Sequence, residues 1–317
     1  MLRPIRTFTE PWNIMPREEL LRKLTLPEAG KIIDVVIDTD TYNEVDDQFA
    51  MAYALMSNER MNVQAIYAAP FFNSRSTSPG DGMEKSYAEI LRLLDKMGIS
   101  PDGLVFRGSE TIMPDMTTPV DSPAARDLIA RAMARTSDEP LYVIALGAIT
   151  NISSAIMLEP AIRDRIVVVW LGGQPLYWPT AGEFNLSGDL FASRVLYDCG
   201  VPLIQVPCQT VASHLLASIP ELEAHLSGKN ALCDALVELF SEYTDNPFGW
   251  AKEIWDVSVP GILMNCAWSR SEIQPSPILS LDTVTLSQHP ERHPIRIITQ
   301  LDRNDIFRDM YRKLAKA

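Results

Sequence analysis

The feature that most constrains the fold is a repeated alternation of apolar runs with amphipathic segments. The clearest runs are KIIDVVIDTD (31–40), LYVIALG (141–147) and IVVVWLGG (166–173), all rich in Ile, Val or Leu. The first is followed by DDQFAMAYALMS, whose apolar residues recur with helical spacing. Short continuous apolar runs predict strands that are buried on both faces. Strands that alternate with helices predict an α/β fold with a mainly parallel central sheet covered by helices on both faces.

The remaining chain extends this pattern. VQAIYAA (63–69) and VPLIQVP (201–207) are further predicted strands. From about residue 215 to 270 the chain is predicted to be mostly helical, and the tail from residue 276 predicts two short strands and a final amphipathic helix. Residues 1–30 are interpreted as an N-terminal extension that ends in a short amphipathic stretch, Glu18 to Leu24, and residues 31–317 as a single domain.

Composition excludes several classes of function. The formal net charge of −13 argues against non-specific nucleic-acid binding, which requires a basic surface. No apolar run is long enough to cross a membrane, and the N-terminus lacks the apolar stretch of a signal peptide, so a cytoplasmic protein is expected. The four cysteines have no CxxC spacing and are predicted to be reduced thiols.

An acidic segment follows the first predicted strand. In DTDTYNEVDDQ, five carboxylates lie within ten residues: Asp38, Asp40, Glu44, Asp46 and Asp47. Carboxylates packed together repel unless they are protonated or neutralised by a cation. Because parallel sheets bind ligands at the carboxyl ends of their strands, this position favours a site for a hard divalent cation, Ca²⁺ or Mg²⁺. The alternative is that some of these acids cap the next helix and the others face solvent.

The acidic segment resembles the amino-terminal signature of inosine-uridine-type nucleoside hydrolases, D-x-D-P-G-x-D-D. Five residues, 41–45, separate the acid pairs here where the signature has three, and the Pro-Gly is missing. ALGAITNIS (145–153), VVWLGG (168–173) and GEFN (182–185) resemble later family motifs in the same order, and Trp255-Asp256 stands where His-Asp is usual. The resemblance spans about residues 31–310 and implies the nucleoside-hydrolase fold, hydrolysis of an N-glycosidic bond, Ca²⁺ as cofactor, and a homo-oligomer, dimer or tetramer.

The resemblance also implies a role for individual residues. Asp46 would be the general base that takes a proton from a metal-bound water, and Asp38 would support the loop from behind. The ligands of Ca²⁺ would be the carboxylates of Asp40, Asp47 and Asp256 and the backbone carbonyl of Leu146. The ribose hydroxyls would be bound by Asn73, Glu183 and Asn185. Carboxylate and amide oxygens suit this chemistry, because cleavage of an N-glycosidic bond develops positive charge on the sugar.

The leaving base is the part of the mechanism for which the sequence offers several alternatives. Trp255 replaces a histidine that in several relatives assists the departing base, and an indole N–H has no useful acidity near neutral pH. Trp255 and Trp178 are interpreted as surfaces on which a base could stack. The alternatives are a non-standard riboside as substrate, or a protein that binds metal and a ribose ligand without turnover. A Mg²⁺-dependent phosphohydrolase is disfavoured because no glycine-rich phosphate loop is present.

Overall fold

The structure, a computed structural model, describes residues 12–28 and 30–316. Its strands are β1 (Ile33–Thr39), β2 (Met61–Ala68), β3 (Val105–Arg107), β4 (Leu141–Ala145), β5 (Ile166–Leu171), β6 (Leu203–Val206), β7 (Leu216–Ala217), β8 (Lys252–Glu253), β9 (Ser269–Pro275), β10 (Ile278–Leu279), β11 (Leu286–Ser287) and β12 (Pro294–Leu301). Its α-helices are α1 (Arg17–Lys23), α2 (Asp46–Leu55), α3 (Pro79–Met97), α4 (Pro123–Met133), α5 (Thr150–Leu158), α6 (Phe184–Gly188), α7 (Leu190–Asp198), α8 (Ile219–Leu226), α9 (Ala231–Ser241), α10 (Ser258–Met264) and α11 (Arg303–Leu314).

Eight strands form one central sheet in the order β3-β2-β1-β4-β5-β6-β12-β9. Every neighbouring pair is parallel except β12 and β9, which are antiparallel. Two large groups of buried apolar side chains, one around α2 and α10 and the other around α5 and α7, form the core. The predicted α/β architecture with a helix-covered, mainly parallel sheet is therefore confirmed.

The strand order places a ligand site at the centre of the sheet. From β1 the chain adds β2 and β3 on one side, and then returns to add β4, β5 and β6 on the other. Crevices form at the carboxyl ends of the strands where the order reverses, because the connecting segments diverge to opposite sides. Here that point lies between β1 and β4, whose last residues are Thr39 and Ala145.

The part of the N-terminal extension that is described packs onto the core. Leu20 and Leu24 of this segment are completely buried, and the Arg296 guanidinium of β12 donates a hydrogen bond to the Leu24 carbonyl. Residues 1–11 of the predicted extension lie outside the described residues. The short amphipathic stretch is helix α1, as the pattern indicated.

The C-terminal region contains more strand than the sequence predicted. β9 lies at the end of the segment that was expected to be helical, and β12 is an eight-residue strand of the main sheet. The two short strands predicted in the tail are β10 and β11, and β12 is an additional long strand that the sequence did not predict. β9, SRSEIQP, is polar because it is an edge strand, so it lacks the apolar run that identifies the buried strands.

The four cysteines are free, as expected. Within residues 12–28 and 30–316, no helix is both long and apolar enough to span a membrane.

Candidate active site

A cavity of about 250 Å³ opens at the carboxyl ends of β1, β4 and β5. Most of its lining residues are polar, and they come from loops that are distant in sequence. The lining residues are Asp40, Asn43, Glu44, Asp46, Asp47, Leu146, Leu171, Gln174, Glu183, Phe184, Asn185, Cys208, Gln209, Trp255 and Asp256.

Three carboxylates converge at one side of this cavity. Asp46 and Asp47 occupy the first turn of α2, where the helix dipole favours negative charge. Asp256 comes from a 3₁₀ turn, Trp255–Val257, that packs against α2. Each of the three offers an oxygen within 4.8 Å of the others, and all three side chains are almost completely buried. The fold therefore brings together acids that are more than 200 residues apart in sequence.

Asp40 lies beside this trio. Its carboxyl group makes a hydrogen-bonding contact with Asp47, which also accepts a hydrogen bond from the Thr39 hydroxyl. Burial, and then the charge of neighbouring carboxylates, raises the pKa of Asp40, Asp46 and Asp256 well above the usual range. Burial likewise raises the pKa of Asp47 to about 6. Without a positive charge between them, these groups hold protons that isolated carboxylates would lose.

The arrangement suits a hard divalent cation. Asp40 Oδ1 and Asp256 Oδ1 are buried and have no hydrogen-bond partner among the described residues. Buried carboxylate oxygens are costly when unpaired, and an ion with several oxygen ligands would satisfy them. The predicted carboxylate ligands were Asp40, Asp47 and Asp256. The three carboxylates whose oxygens lie within 4.8 Å of one another are instead those of Asp46, Asp47 and Asp256, and Asp40 contacts Asp47 beside them.

The Leu146 carbonyl lies on the cavity wall directly after β4. It accepts a hydrogen bond from Asn185 Nδ2 at 2.9 Å, and the same amide nitrogen donates to the Leu171 carbonyl at 3.0 Å. Asn185 thus ties together the ends of β4 and β5. Because both N–H groups of this amide are used by the two carbonyls, Asn185 can offer a ligand only its Oδ1, as an acceptor.

Glu183 and Asn185 lie at the start of a short helix. Helix α6 begins at Phe184, and Glu183 is its N-cap. The Glu183 carboxylate accepts hydrogen bonds from the backbone N–H groups of Gly173, Asn185 and Leu186 at 2.8–3.0 Å. A Glu at an N-cap satisfies N–H groups that the first turn of a helix leaves free. Both Glu183 and Asn185 line the cavity.

Asp38 lies behind the cavity wall rather than on it. It is completely buried, and Asn151 Nδ2 of α5 donates to its Oδ1 at 2.8 Å. Burial raises the pKa of Asp38 to about 7. This contact connects the end of β1 to α5, which is the position expected of a supporting residue.

Of the remaining three predicted site residues, one lines the cavity and two do not. Trp255 lines the cavity and is partly buried against the core. Asn73 is not on the cavity wall; its Nδ2 donates to Asn43 Oδ1 at 2.6 Å. Trp178 also lies off the wall, with 36% of its surface exposed.

Several lining residues were not predicted. Asn43 belongs to the enlarged loop between the acid pairs, and Cys208 and Gln209 follow the carboxyl end of β6. The rule that ligands bind at strand ends would have identified Cys208 and Gln209, because VPLIQVP was a predicted strand. Gln174 follows the Gly172-Gly173 turn and is oriented by a hydrogen bond from the Gln209 N–H at 3.1 Å.

Comparisons with known proteins agree with this geometry. Residues 35–265 match the family described as inosine-uridine preferring nucleoside hydrolase. The pyrimidine-specific ribonucleoside hydrolase RihA of Salmonella paratyphi A is 25% identical over 237 residues, 67% of this chain and 72% of that protein. RihA of Klebsiella pneumoniae (strain 342) is 28% identical over 196 residues, 54% of this chain and 59% of that protein.

Solved structures show the same fold. A plant nucleoside hydrolase superposes with a TM-score of 0.71 at 18% identity, covering 90% of this chain and 100% of that one. A purine-preferring ribonucleoside hydrolase from Gardnerella vaginalis superposes with a TM-score of 0.71 at 17% identity, covering 89% and 98%. Since the family match extends over most of the chain and includes the acid cluster, this protein belongs to the inosine-uridine preferring nucleoside hydrolases and is a hydrolase of N-glycosyl compounds.

Proposed function

We propose that this enzyme hydrolyses the N-glycosidic bond of a riboside with Ca²⁺ as its cofactor. The observation that carries the proposal is the convergence of the buried carboxylates of Asp46, Asp47 and Asp256, with Asp40 beside them, in the cavity of a nucleoside-hydrolase fold. The carboxylates of Asp40, Asp47 and Asp256 and the Leu146 carbonyl would hold the ion. When bound, Ca²⁺ would lower the pKa of water and orient the sugar hydroxyls.

Asp46 is proposed as the general base. Its Oδ2 accepts a hydrogen bond from the Asp256 backbone N–H at 3.3 Å, which orients the carboxylate within the cluster. From this position the Asp46 carboxylate takes a proton from the attacking water as the C1′–O bond forms. Burial and the neighbouring acids raise the pKa of Asp46, whereas a bound cation and the N-terminus of α2 would favour the ionised form that a base requires.

Asn185 and Glu183 are proposed to bind the ribose. The Asn185 amide is fixed by two carbonyls and presents Oδ1 to a sugar hydroxyl. Glu183 is rigid because three backbone N–H groups hold its carboxylate, and its negative charge favours the positive charge that develops on the sugar. Asn73 would act on the ribose through Asn43, which it contacts. A cytoplasmic location stays a prediction from the sequence, and a homo-oligomer, dimer or tetramer, stays a prediction from the resemblance.

The proposal predicts that Asp46→Asn lowers kcat by about 10²–10⁴-fold, because the base is lost while the geometry of the side chain is kept. Reducing-sugar release from a panel of ribosides would be measured with Ca²⁺ and with excess EDTA, and Ca²⁺ binding by calorimetry. Asp46→Asn should retain Ca²⁺ binding, and EDTA should abolish turnover by the unaltered enzyme. Asp95→Asn, at an exposed position of α3, is the matched control. Undiminished turnover in excess EDTA would refute the proposal.

A further inference from the structure

The wall of the active-site cavity carries charge of one sign. Six lining residues are acidic, and no Lys, Arg or His of the described chain is among the lining residues. The negative charge of two of these six side chains is compensated by their neighbours. Glu44 forms an ion pair with Lys252, and Glu183 accepts hydrogen bonds from three backbone N–H groups. The other four surround the proposed cation site and outnumber the two charges of one divalent ion. The cavity therefore attracts a further positive charge and repels an anion.

The groups that line the cavity are poorly suited to protonating a leaving base. Beyond the carboxylates, they offer an indole N–H on Trp255, side-chain amides such as that of Gln209, and the Cys208 thiol. Indole and amide N–H groups donate hydrogen bonds but do not release protons near neutral pH, and burial raises the pKa of Cys208. A neutral base that leaves with the electron pair of the C1′–N bond becomes an anion unless an acid protonates it.

Histidines could supply such an acid, but they lie elsewhere in the described chain. His214 hydrogen-bonds to the Leu301 carbonyl, and His225 stacks on the Tyr311 ring. Neither these two nor His289 and His293 line the cavity.

Two aromatic side chains line the same cavity. Trp255 precedes the acid Asp256 and is held by the core, whereas Phe184 follows Glu183 and is 41% exposed. The face of an aromatic ring attracts a cation, and Trp does so most strongly. Both aromatic residues line the cavity together with the acidic groups, and their rings suit a flat, positively charged ligand.

We propose that the substrate of this enzyme is a riboside whose base carries a fixed positive charge, such as a pyridinium or an N-alkylated purine. The inference rests on the proposed function and defines its substrate class. In the reaction the C1′–N bond breaks and its electron pair neutralises the ring nitrogen, so the base leaves uncharged and needs no proton. The water oxygen bonds to C1′, and the proton of the water passes to Asp46.

Binding tests the charge preference separately from turnover. The oxidised form of N-ribosylnicotinamide is a pyridinium cation, and its 1,4-dihydro form is a neutral ring of nearly the same size. With the Asp46→Asn variant in Ca²⁺, calorimetry should show that the oxidised form binds about tenfold more tightly, a preference in the range of a cation–π contact. Trp255→Leu should reduce this preference. Should that variant fail to fold, Phe184→Leu at its more exposed position provides the same test. Equal affinity for the two forms would overturn the inference.

Turnover provides the second test. The kcat/KM for N-ribosylnicotinamide should exceed those for uridine and inosine by at least about 10²-fold after division by the uncatalysed rates, which is the usual contribution of the acid that is missing. Trp255→His should increase turnover of inosine more than that of N-ribosylnicotinamide. The inference is wrong if inosine or uridine is hydrolysed with an equal or higher corrected kcat/KM. If no riboside is hydrolysed in a Ca²⁺-dependent reaction, the proposed function itself fails.

Discussion

His293 is a buried residue whose ionisation affects the stability of the fold. Its side chain is 8% exposed, and neither ring nitrogen has a hydrogen-bond partner among the described residues. Burial, with the nearby charges of Arg292 and Arg163, lowers the pKa of His293 to about 4, from a usual value of 6.5. The ring is therefore neutral in the folded protein under conditions where it is partly charged in the unfolded chain.

This difference predicts a pH-dependent loss of stability. As the pH falls below about 6.5, His293 is protonated in the unfolded chain but stays neutral in the folded protein. The free energy of unfolding therefore decreases until the pH reaches about 4, where the folded protein is protonated as well. The slope contributed by this group approaches about 1.4 kcal/mol per pH unit. His293→Leu should remove that contribution, as measured by urea unfolding at pH 7, 6 and 5. His289→Leu, at an exposed position, is the control. An unchanged slope in His293→Leu would contradict the prediction.

The acid cluster could be recognised from its residues, but the partners of each acid could not. The five acids within ten residues were sufficient to predict a cation site after β1. That Asp47 contacts Asp40 and Asp256, and that Asp38 instead binds Asn151, depends on side-chain directions after folding. The role of Asn73 was similarly obscured, because the enlarged loop inserts Asn43 between it and the cavity.

At the level of secondary-structure elements, the segment directly after β3 approaches the end of β2 and helix α5 closely, and this approach positions Asn151 against Asp38. Gly108 directly follows β3, and a Cβ atom there would lie 1.9 Å from the Ala68 carbonyl oxygen and 2.5 Å from Asn151 Nδ2. Asn151 in turn accepts hydrogen bonds from the Ser109 N–H and hydroxyl and donates to Asp38. Only glycine allows these elements to approach so closely.

Gly108→Ala is expected to destabilise the protein by about 3 kcal/mol, the upper range for overpacking of a close contact. It should also weaken Ca²⁺ binding, because Asn151 must move away from Asp38. Gly103→Ala is the matched control: its φ of +69° imposes about 1–2 kcal/mol of backbone strain, but its Cβ meets no atom within 4 Å. Urea unfolding and Ca²⁺ calorimetry would measure both effects. The interpretation fails if the two variants have the same Ca²⁺ affinity.

Across the whole molecule, the stability of the fold and the occupancy of the cation site are coupled. Burial raises the pKa of Asp38 to about 7 and that of Asp47 to about 6, and raises those of Asp40, Asp46 and Asp256. In the metal-free protein these groups bind protons more tightly than in the unfolded chain. The contribution of Asp38 and Asp47 to stability is therefore complete below about pH 4 and is lost as the pH rises through 6 to 7. The raised pKa values of Asp40, Asp46 and Asp256 act in the same direction.

A bound cation should reverse this loss. The increase in Tm caused by Ca²⁺ is expected to grow from pH 5.5 to pH 8, because the ion competes with protons for the same carboxylates. At a Ca²⁺ concentration 1,000 times its Kd, the stabilisation would be about 4 kcal/mol. Scanning calorimetry with CaCl₂ and with EDTA across this pH range would measure the difference, and Asp256→Asn should diminish it. A Ca²⁺ effect that is larger at pH 5.5 than at pH 8 would contradict the coupling.

The sequence by itself determined the α/β class, the strands β1, β2, β4, β5 and β6, and the position of the acids at the end of β1. These features are local, because apolar periodicity and residue type are read within one segment of chain. The sequence did not predict the polar edge strand β9, because that strand forms by pairing with β12. It also did not predict the helix that begins at Phe184, because the capping contacts of Glu183 determine where that helix starts. The resemblance implied that Asp256 belongs with Asp40 and Asp47. Only the tertiary structure decided that Asp46 lies within reach of Asp47 and Asp256, and that Phe184 joins Trp255 on the cavity wall. Convergence of this kind depends on how the sheet and its loops pack, which no single segment encodes.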